Sequence, residues 1–255
     1  TNATLPVRYS CSQSKNPLDS SSSGSSKPAA SDRSLRWLVV TDALRPILLD
    51  AAEDRYPLDD GLVTVVPPDR TTGLHAVVSF TGHAVIATDR SLDEVQGAGA
   101  DGLAGALAPD LLRWLAGPDG WIGVIDVVLV ARGAGTGGTP LRPTDRYDDH
   151  PRVHYARTTR TDVLVLGDDR GLVTLGRGLG GRTELGFELV GASSHGTGLG
   201  RSLLTDLLAE TPTGEVVFAS CAPGNARSLR ALLAVGFTPI GGEVLIRPEG
   251  PPPRS

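Results

Sequence analysis

A glycine-rich turn, Ser194-His195-Gly196-Thr197-Gly198-Leu199-Gly200-Arg201, separates the alternating segment Glu184 to Val190 from a stripe of leucines at Leu203, Leu204, Leu207 and Leu208. Alternation is the period of a strand and the leucine spacing that of a helix, so the segment reads as strand, turn and helix. Residues without a Cβ let backbone N–H groups approach a ligand, and the helix N-terminus adds partial positive charge. Such a turn suits a pyrophosphate. No Lys-Ser/Thr pair follows the last glycine, which argues against a nucleoside-triphosphate P-loop.

Glycine makes up 32 of 255 residues without a G-X-Y period, so further glycine turns are expected. The GxGxxG pattern at Gly133, Gly135 and Gly138 follows an apolar strand, but Thr139-Pro140-Leu141-Arg142-Pro143 cannot continue as the helix a dinucleotide site needs. The same pattern at Gly176, Gly178 and Gly181 lies between two strands and reads as a hairpin turn.

Downstream of the turn come a strand (Val216 to Ser220), a helix (Ala226, Leu229, Leu232 and Leu233 on one side), the pair Gly236-Phe237 and a last strand, Val244 to Ile246. At this point the sequence resembles the GNAT superfamily of acyl-CoA N-acyltransferases. His195 to Gly200 looks like that family's Q/R-x-x-G-x-G/A loop, and Asn225 through Phe237 like its N-x-x-(A/S) helix and Gly-Phe turn. The resemblance covers about residues 150–247. It implies an α/β (α+β) fold with a mixed, mainly antiparallel sheet flanked by helices, to which an additional N-terminal α/β region is attached. It also implies acetyl-CoA as co-substrate and a primary amine as acceptor; no metal is expected, because the histidines lack metal-ligand spacing. The residues it places on acyl-CoA are Leu189, Val190, His195, Gly196, Thr197, Gly198, Leu199, Gly200, Arg201, Asn225 and Ser228.

Two positions depart from the pattern. His195 stands where Arg or Gln is usual, and Leu232 stands where many members carry a Tyr as acid toward the CoA thiolate. Ser228 or a water is left to serve. Leu232 also motivates the alternative reading, a catalytically degenerate acyl-CoA-binding or interaction module. N-acetyl transfer needs a neutral amine held against a thioester, a proton acceptor, and donors for the developing oxyanion. Period-two alternation puts Glu184, Gly186 and Glu188 on one face, the two carboxylates roughly 13 Å apart. Glu188, nearer the cofactor loop, is the general-base candidate, and Glu184 is held in reserve as a structural or substrate-contacting residue. The acceptor class stays open: small amine, aminoglycoside, amino acid, peptide N-terminus or protein lysine.

The rest of the chain adds boundaries and exclusions. Residues 1–34 are Ser-rich and read as a disordered tail, as do 248–255 with their prolines. Residues 35–140 form an α/β region of no recognised family, ahead of an acetyltransferase-like domain at 145–247. A helix is expected over about 42–54 with Asp42 as cap, strands at Leu62 to Val66, His75 to Phe80, His83 to Thr88 and Ile122 to Val130, and broken helices over 92–116. A linker is expected from Gly133 to about Pro143, then short strands at Val153 to Thr158, Val163 to Leu166 and Leu172 to Leu175. A net charge of -5 speaks against a nucleic-acid partner. No apolar run approaches a membrane span, and the N-terminus lacks an export pattern, so the expected location is cytoplasmic, as a monomer or homodimer. Cys11 and Cys221 are too far apart for a CxxC site, and Cys221 reads as a small buried residue rather than a nucleophile. The histidine pairs His75/His83 and His150/His154 lack accompanying carboxylate spacing, and no G-x-S-x-G elbow occurs.

Overall fold

A computed structural model describes residues 43–191 and 196–248. The expected tails, the Asp42 cap and His195 therefore lie outside the described residues. The first helix, α1 (Leu44–Ala51), is shorter than expected and starts from Ala43 without a side-chain cap. After it come β1 (Val63–Val66), β2 (His75–Phe80) and β3 (His83–Ala87). The β2–β3 hairpin forms as its Thr81-Gly82 turn predicts. The 92–116 stretch breaks into α2 (Leu92–Gly97) and α3 (Pro109–Ala116). Ser91 and Glu94 cap the first reciprocally, and Pro109 occupies the first turn of the second.

The expected strand Ile122 to Val130 is in fact two, β4 (Trp121–Ile122) and β5 (Asp126–Arg132). The break at Gly123 to Ile125 turns Val124 and Ile125 outward, where both are exposed. The expected linker holds a two-residue edge strand, β6 (Arg142–Pro143). A larger correction concerns Val153 to Thr158, which is not a strand but part of helix α4 (Pro151–Thr159). His150 caps it by accepting the Arg152 N–H, Pro151 fits the first turn, and Val153, Ala156 and Thr159 are buried at helical spacing. The β-branched residues of this stretch imitate a strand, but the buried positions recur every three residues.

The remaining elements are β7 (Thr161–Asp168), β8 (Gly171–Arg177), β9 (Thr183–Leu189), α5 (Leu199–Glu210), β10 (Val216–Cys221), α6 (Ala226–Ala234) and β11 (Thr238–Arg247). β11 begins six residues before the expected last strand. The hairpin expected at Gly176 to Gly181 joins β8 to β9 through a short 3₁₀ turn. All eleven described strands belong to one sheet in the order β1-β3-β2-β11-β5-β10-β9-β8-β7-β6, with β4 on β11. Among them only β1–β3 and β9–β10 are parallel pairs. The fold is thus a mixed, mainly antiparallel sheet flanked by helices, and strands from both halves of the chain share it.

Alternation along β5 sends Val128 and Val130 to the face covered by α1, and Leu129 and Ala131 to the face covered by α5 and α6. The leucines of α5 at 203, 204, 207 and 208 are buried there, each contributing about 1.5–3 kcal/mol of apolar burial. The glycines at 133–138 have a structural use. Their segment runs over the C-terminus of α5, and the N–H groups of Ala134, Gly135 and Gly137 donate to the carbonyls of Leu208, Thr211 and Ala209. A Cβ on Gly133 would lie 2.2 Å from the Pro212 carbonyl oxygen. No described helix is long and apolar enough to cross a membrane.

Candidate active site

Parallel strands β9 and β10 pair only through Phe218↔Glu184 and Ala219↔Leu185, although β9 continues to Leu189 and β10 to Cys221. The two strands part beyond Ala219↔Leu185, and after Cys221 the chain turns away: Asn225 N–H closes the turn on Ala222, and Asn225 then caps α6 by accepting from Ser228 N–H at 3.2 Å. The sheet is left with a wedge between the two strand ends, and a cavity opens on each side of it.

On the α5–α6 side is a groove of about 560 Å³, lined by Phe187, Glu188, Leu189, Gly196, Gly198, Gly200, Arg201, Asn225, Arg227, Ser228 and Arg230 among others. Gly198 starts α5 with φ 84, a left-handed conformation that any L side chain adopts only under strain. The helix start has no side-chain cap, so its first N–H groups remain available. Arg201, Arg227 and Arg230 add three guanidiniums, none of them in an ion pair with a described residue, against the single carboxylate of Glu188. The lining of this groove is net positive.

On the opposite side is a cavity of about 510 Å³ whose wall includes Trp121, Asp126, Arg152, Tyr155, Arg160, Glu184, Glu188, Ser220, Cys221, Leu232, Glu243 and Leu245. Groove and cavity share Phe187, Glu188, Asn225 and Ser228. The alternation expected for β9 is present, with Glu184 and Glu188 both facing the cavity, but their surroundings differ. Glu184 is buried. Its Oε1 accepts from Arg160 Nε (3.0 Å) and Nη2 (2.7 Å), and its Oε2 from Arg182 Nε (3.0 Å) and Nη2 (2.8 Å). Burial alone would raise this carboxyl, but the two guanidiniums outweigh it and hold it below the ordinary carboxylate range. Glu184 is therefore a structural anchor of the cavity floor. Glu188 is half exposed and meets only Arg152 Nη2, at 3.2 Å.

Of the residues expected on acyl-CoA, the structure gathers Leu189, Gly196, Gly198, Gly200, Arg201, Asn225 and Ser228 around the groove. Val190, Thr197 and Leu199 do not line it, and His195 lies outside the described residues. Burial, with Asp126 nearby, pushes the Cys221 thiol up, which suits a small core residue and not a thiolate nucleophile.

Several cavity residues are picked out by no sequence motif, Tyr155 and Asp126 among them. Tyr155 enters from α4, and burial beside Glu184 and Asp126 pushes its phenol up to about 12, so it remains a proton donor at neutral pH. Asp126 enters from β5. Burial, Glu243 on β11 and Glu184 on β9 raise its carboxyl to about 7, against the opposing pull of Arg152 on α4 and of Arg182. A helical reading of 151–159 would have exposed Tyr155; the role of Asp126 depends on sheet order and carries no local signal.

A carboxyl whose folded-state value is raised holds its proton longer than in the unfolded chain, so its ionisation favours unfolding as pH rises from about 4 to about 7. The gap from 3.8 to about 7 corresponds to at most about 4 kcal/mol, which solvent at this half-buried group reduces to roughly 2. Asp126→Asn is accordingly expected to gain about that much stability at pH 8 and almost none at pH 4. Urea titrations at the two pH values check it, and an equal change at both would remove Asp126 from the pH dependence.

No family model matches the chain, and no curated protein matches it. Several solved structures match about half of it. An acetyltransferase from the GNAT family of Colwellia psychrerythraea is 11% identical over 49% of this chain and 56% of its own, with a TM-score of 0.30. A GCN5-related N-acetyltransferase from Kribbella flavida is 13% identical over 51% and 61%, with a TM-score of 0.32. A functionally unknown conserved protein from Staphylococcus epidermidis is 15% identical over 55% and 66%, with a TM-score of 0.35. The chain thus spans between about half and two thirds of the chains to which it is similar.

Proposed function

We propose that the protein is an acetyl-CoA-dependent N-acetyltransferase acting on a primary amine. The observation that carries this reading is the opposed charge of two spaces that meet at one wall: a guanidinium-rich groove over a helix N-terminus, and a carboxylate-rich cavity, joined at Phe187, Glu188, Asn225 and Ser228. A polyanionic thioester donor suits the first, and an amine suits the second.

In this reading the α5 N–H groups and Arg201, Arg227 and Arg230 hold the phosphates of the donor, and its acyl end reaches the wedge between β9 and β10. The amine nitrogen attacks the thioester carbonyl, the C–N bond forms and the C–S bond breaks. The proton leaves the nitrogen for Glu188, directly or through a water, and the departing thiolate takes one from a donor of the cavity or from solvent. Tyr155 and Ser228 are candidate hydroxyl donors facing that space, the Ser220 hydroxyl being committed to Glu243, in the absence of a Tyr at position 232.

Gly198→Val tests the donor site. It forces a β-branched side chain into a left-handed φ and crowds the phosphate approach, so CoA affinity should fall by about tenfold or more while the far-ultraviolet spectrum is kept. Calorimetry reads this directly, and unchanged affinity in the folded variant refutes the groove as donor site. Release of CoA thiol across a panel of amines tests the reaction; binding without release from any amine would favour a non-catalytic acyl-CoA-binding module.

A further inference from the structure

We infer that the acceptor is an amine carrying a second cationic nitrogen, which sits on a carboxylate pair formed by Asp126 and Glu243. This rests on the acetyltransferase reading for the reacting end of the molecule, but the cation seat itself rests on the following geometry. Asp126 on β5 and Glu243 on β11 are direct register partners, and both line the cavity. Opposed residues of an antiparallel pair share a face with their Cβ atoms roughly 5 Å apart, where like charges repel unless something lies between them.

Glu243 is 2% exposed. Its Oε1 accepts from Arg182 Nη2 and from Ser220 Oγ, both at 2.6 Å. Its Oε2 is buried and has no hydrogen-bond partner among the described residues. Asp126 makes no ion pair or hydrogen bond with another described side chain. Around the cavity, four carboxylates (Asp126, Glu184, Glu188, Glu243) face three guanidiniums (Arg152, Arg160, Arg182). Glu184 shares Arg160 and Arg182, Glu243 meets Arg182 and Glu188 meets Arg152, so the count leaves one negative charge uncompensated, at the Asp126–Glu243 end. One monovalent cation with several N–H donors completes that end, and an ammonium supplies both the charge and the missing donor.

The spacing sets a minimum chain length. Asp126 and Glu188 face the same cavity from β5 and β9 with β10 between them, and β9 and β10 part beyond Ala219↔Leu185, so the two carboxylates are separated by at least two strand spacings, roughly 10 Å, a span that takes a diamine with about four or more carbons between its nitrogens. Trp121, Val124 and Leu245 supply apolar wall for such a methylene chain. The raised Asp126 carboxyl fits as well, since an arriving cation favours its ionised form.

The experiment is calorimetry at pH 8 with 1,4-diaminobutane and with butylamine, on the wild-type chain, Asp126→Asn and Glu243→Gln. The wild type should bind the diamine at least about tenfold more tightly than the monoamine, and either substitution should cut that preference to about threefold or less. If Glu243→Gln fails to fold, Asp126→Asn carries the test alone. Equal affinity for the two amines in the wild type, or a preference that survives substitution, overturns the proposal. So does a fall in turnover that is equal for both amines with the preference intact, because Asp126 is then a proton acceptor. A diamine preference that depends on Asp126, with no CoA thiol released from either amine, upholds the cation seat and refutes the acetyltransferase reading.

Discussion

A Glu188→Gln variant is expected to lose roughly 10²- to 10⁴-fold in turnover while retaining its affinity for acetyl-CoA. Gln keeps the size of the side chain and can still accept a hydrogen bond from Arg152, so the wall shared by groove and cavity stays in place. Only the capacity to take a proton is lost. Single-turnover rates and CoA calorimetry separate the two effects. A glutamate needed only for its contact with Arg152 would instead lower stability and leave the single-turnover rate of the folded variant near that of the wild type. Near-normal turnover in Glu188→Gln would move proton acceptance to Asp126 or to solvent.

The second large effect concerns stability. Arg182 is fully buried beneath the cavity and holds Glu184 and Glu243 at once, with its guanidinium 5.2 Å from the ring centroid of Phe218. Burial works against its charge, but the Glu243 and Glu184 carboxylates more than compensate and raise its value above that of an ordinary arginine. Removing one partner of a buried network leaves the others desolvated and uncompensated, so Arg182→Met should cost about 3–5 kcal/mol in urea unfolding. Glu184 keeps Arg160, whereas Glu243 keeps only the Ser220 hydroxyl. The double variant Arg182→Met, Glu243→Gln should therefore recover part of the loss, since it removes the charge left unpaired. A loss under about 1 kcal/mol in the single variant would show that water reaches the cluster.

What could be read along the chain was local. The glycine turn before α5, the leucine stripe, the Asn225 cap and the β8–β9 hairpin each reside in a few consecutive residues whose spacing fixes their geometry. The 151–159 segment was misread because β-branched and aromatic residues favour strands, while the His150-Pro151 start that makes it a helix is a weaker signal. The alternation of Glu184 and Glu188 was legible, but not that one of them would be locked between two arginines. Arg160, Arg182, Asp126 and Glu243 come together only because β5 lies between β10 and β11, an order that no run of neighbouring residues announces.

That placement also has a consequence for how the chain acquires its site. Of the described strands β11 is made last, and it must insert between β2 and β5, both made much earlier. Until it does, β2 and β5 each keep one unpaired flank open to other chains, and the contacts that close the sheet are among those of longest sequence separation. The step that seals these flanks is the same one that brings Glu243 opposite Asp126, so this cavity is completed only as the sheet loses its last internal edges.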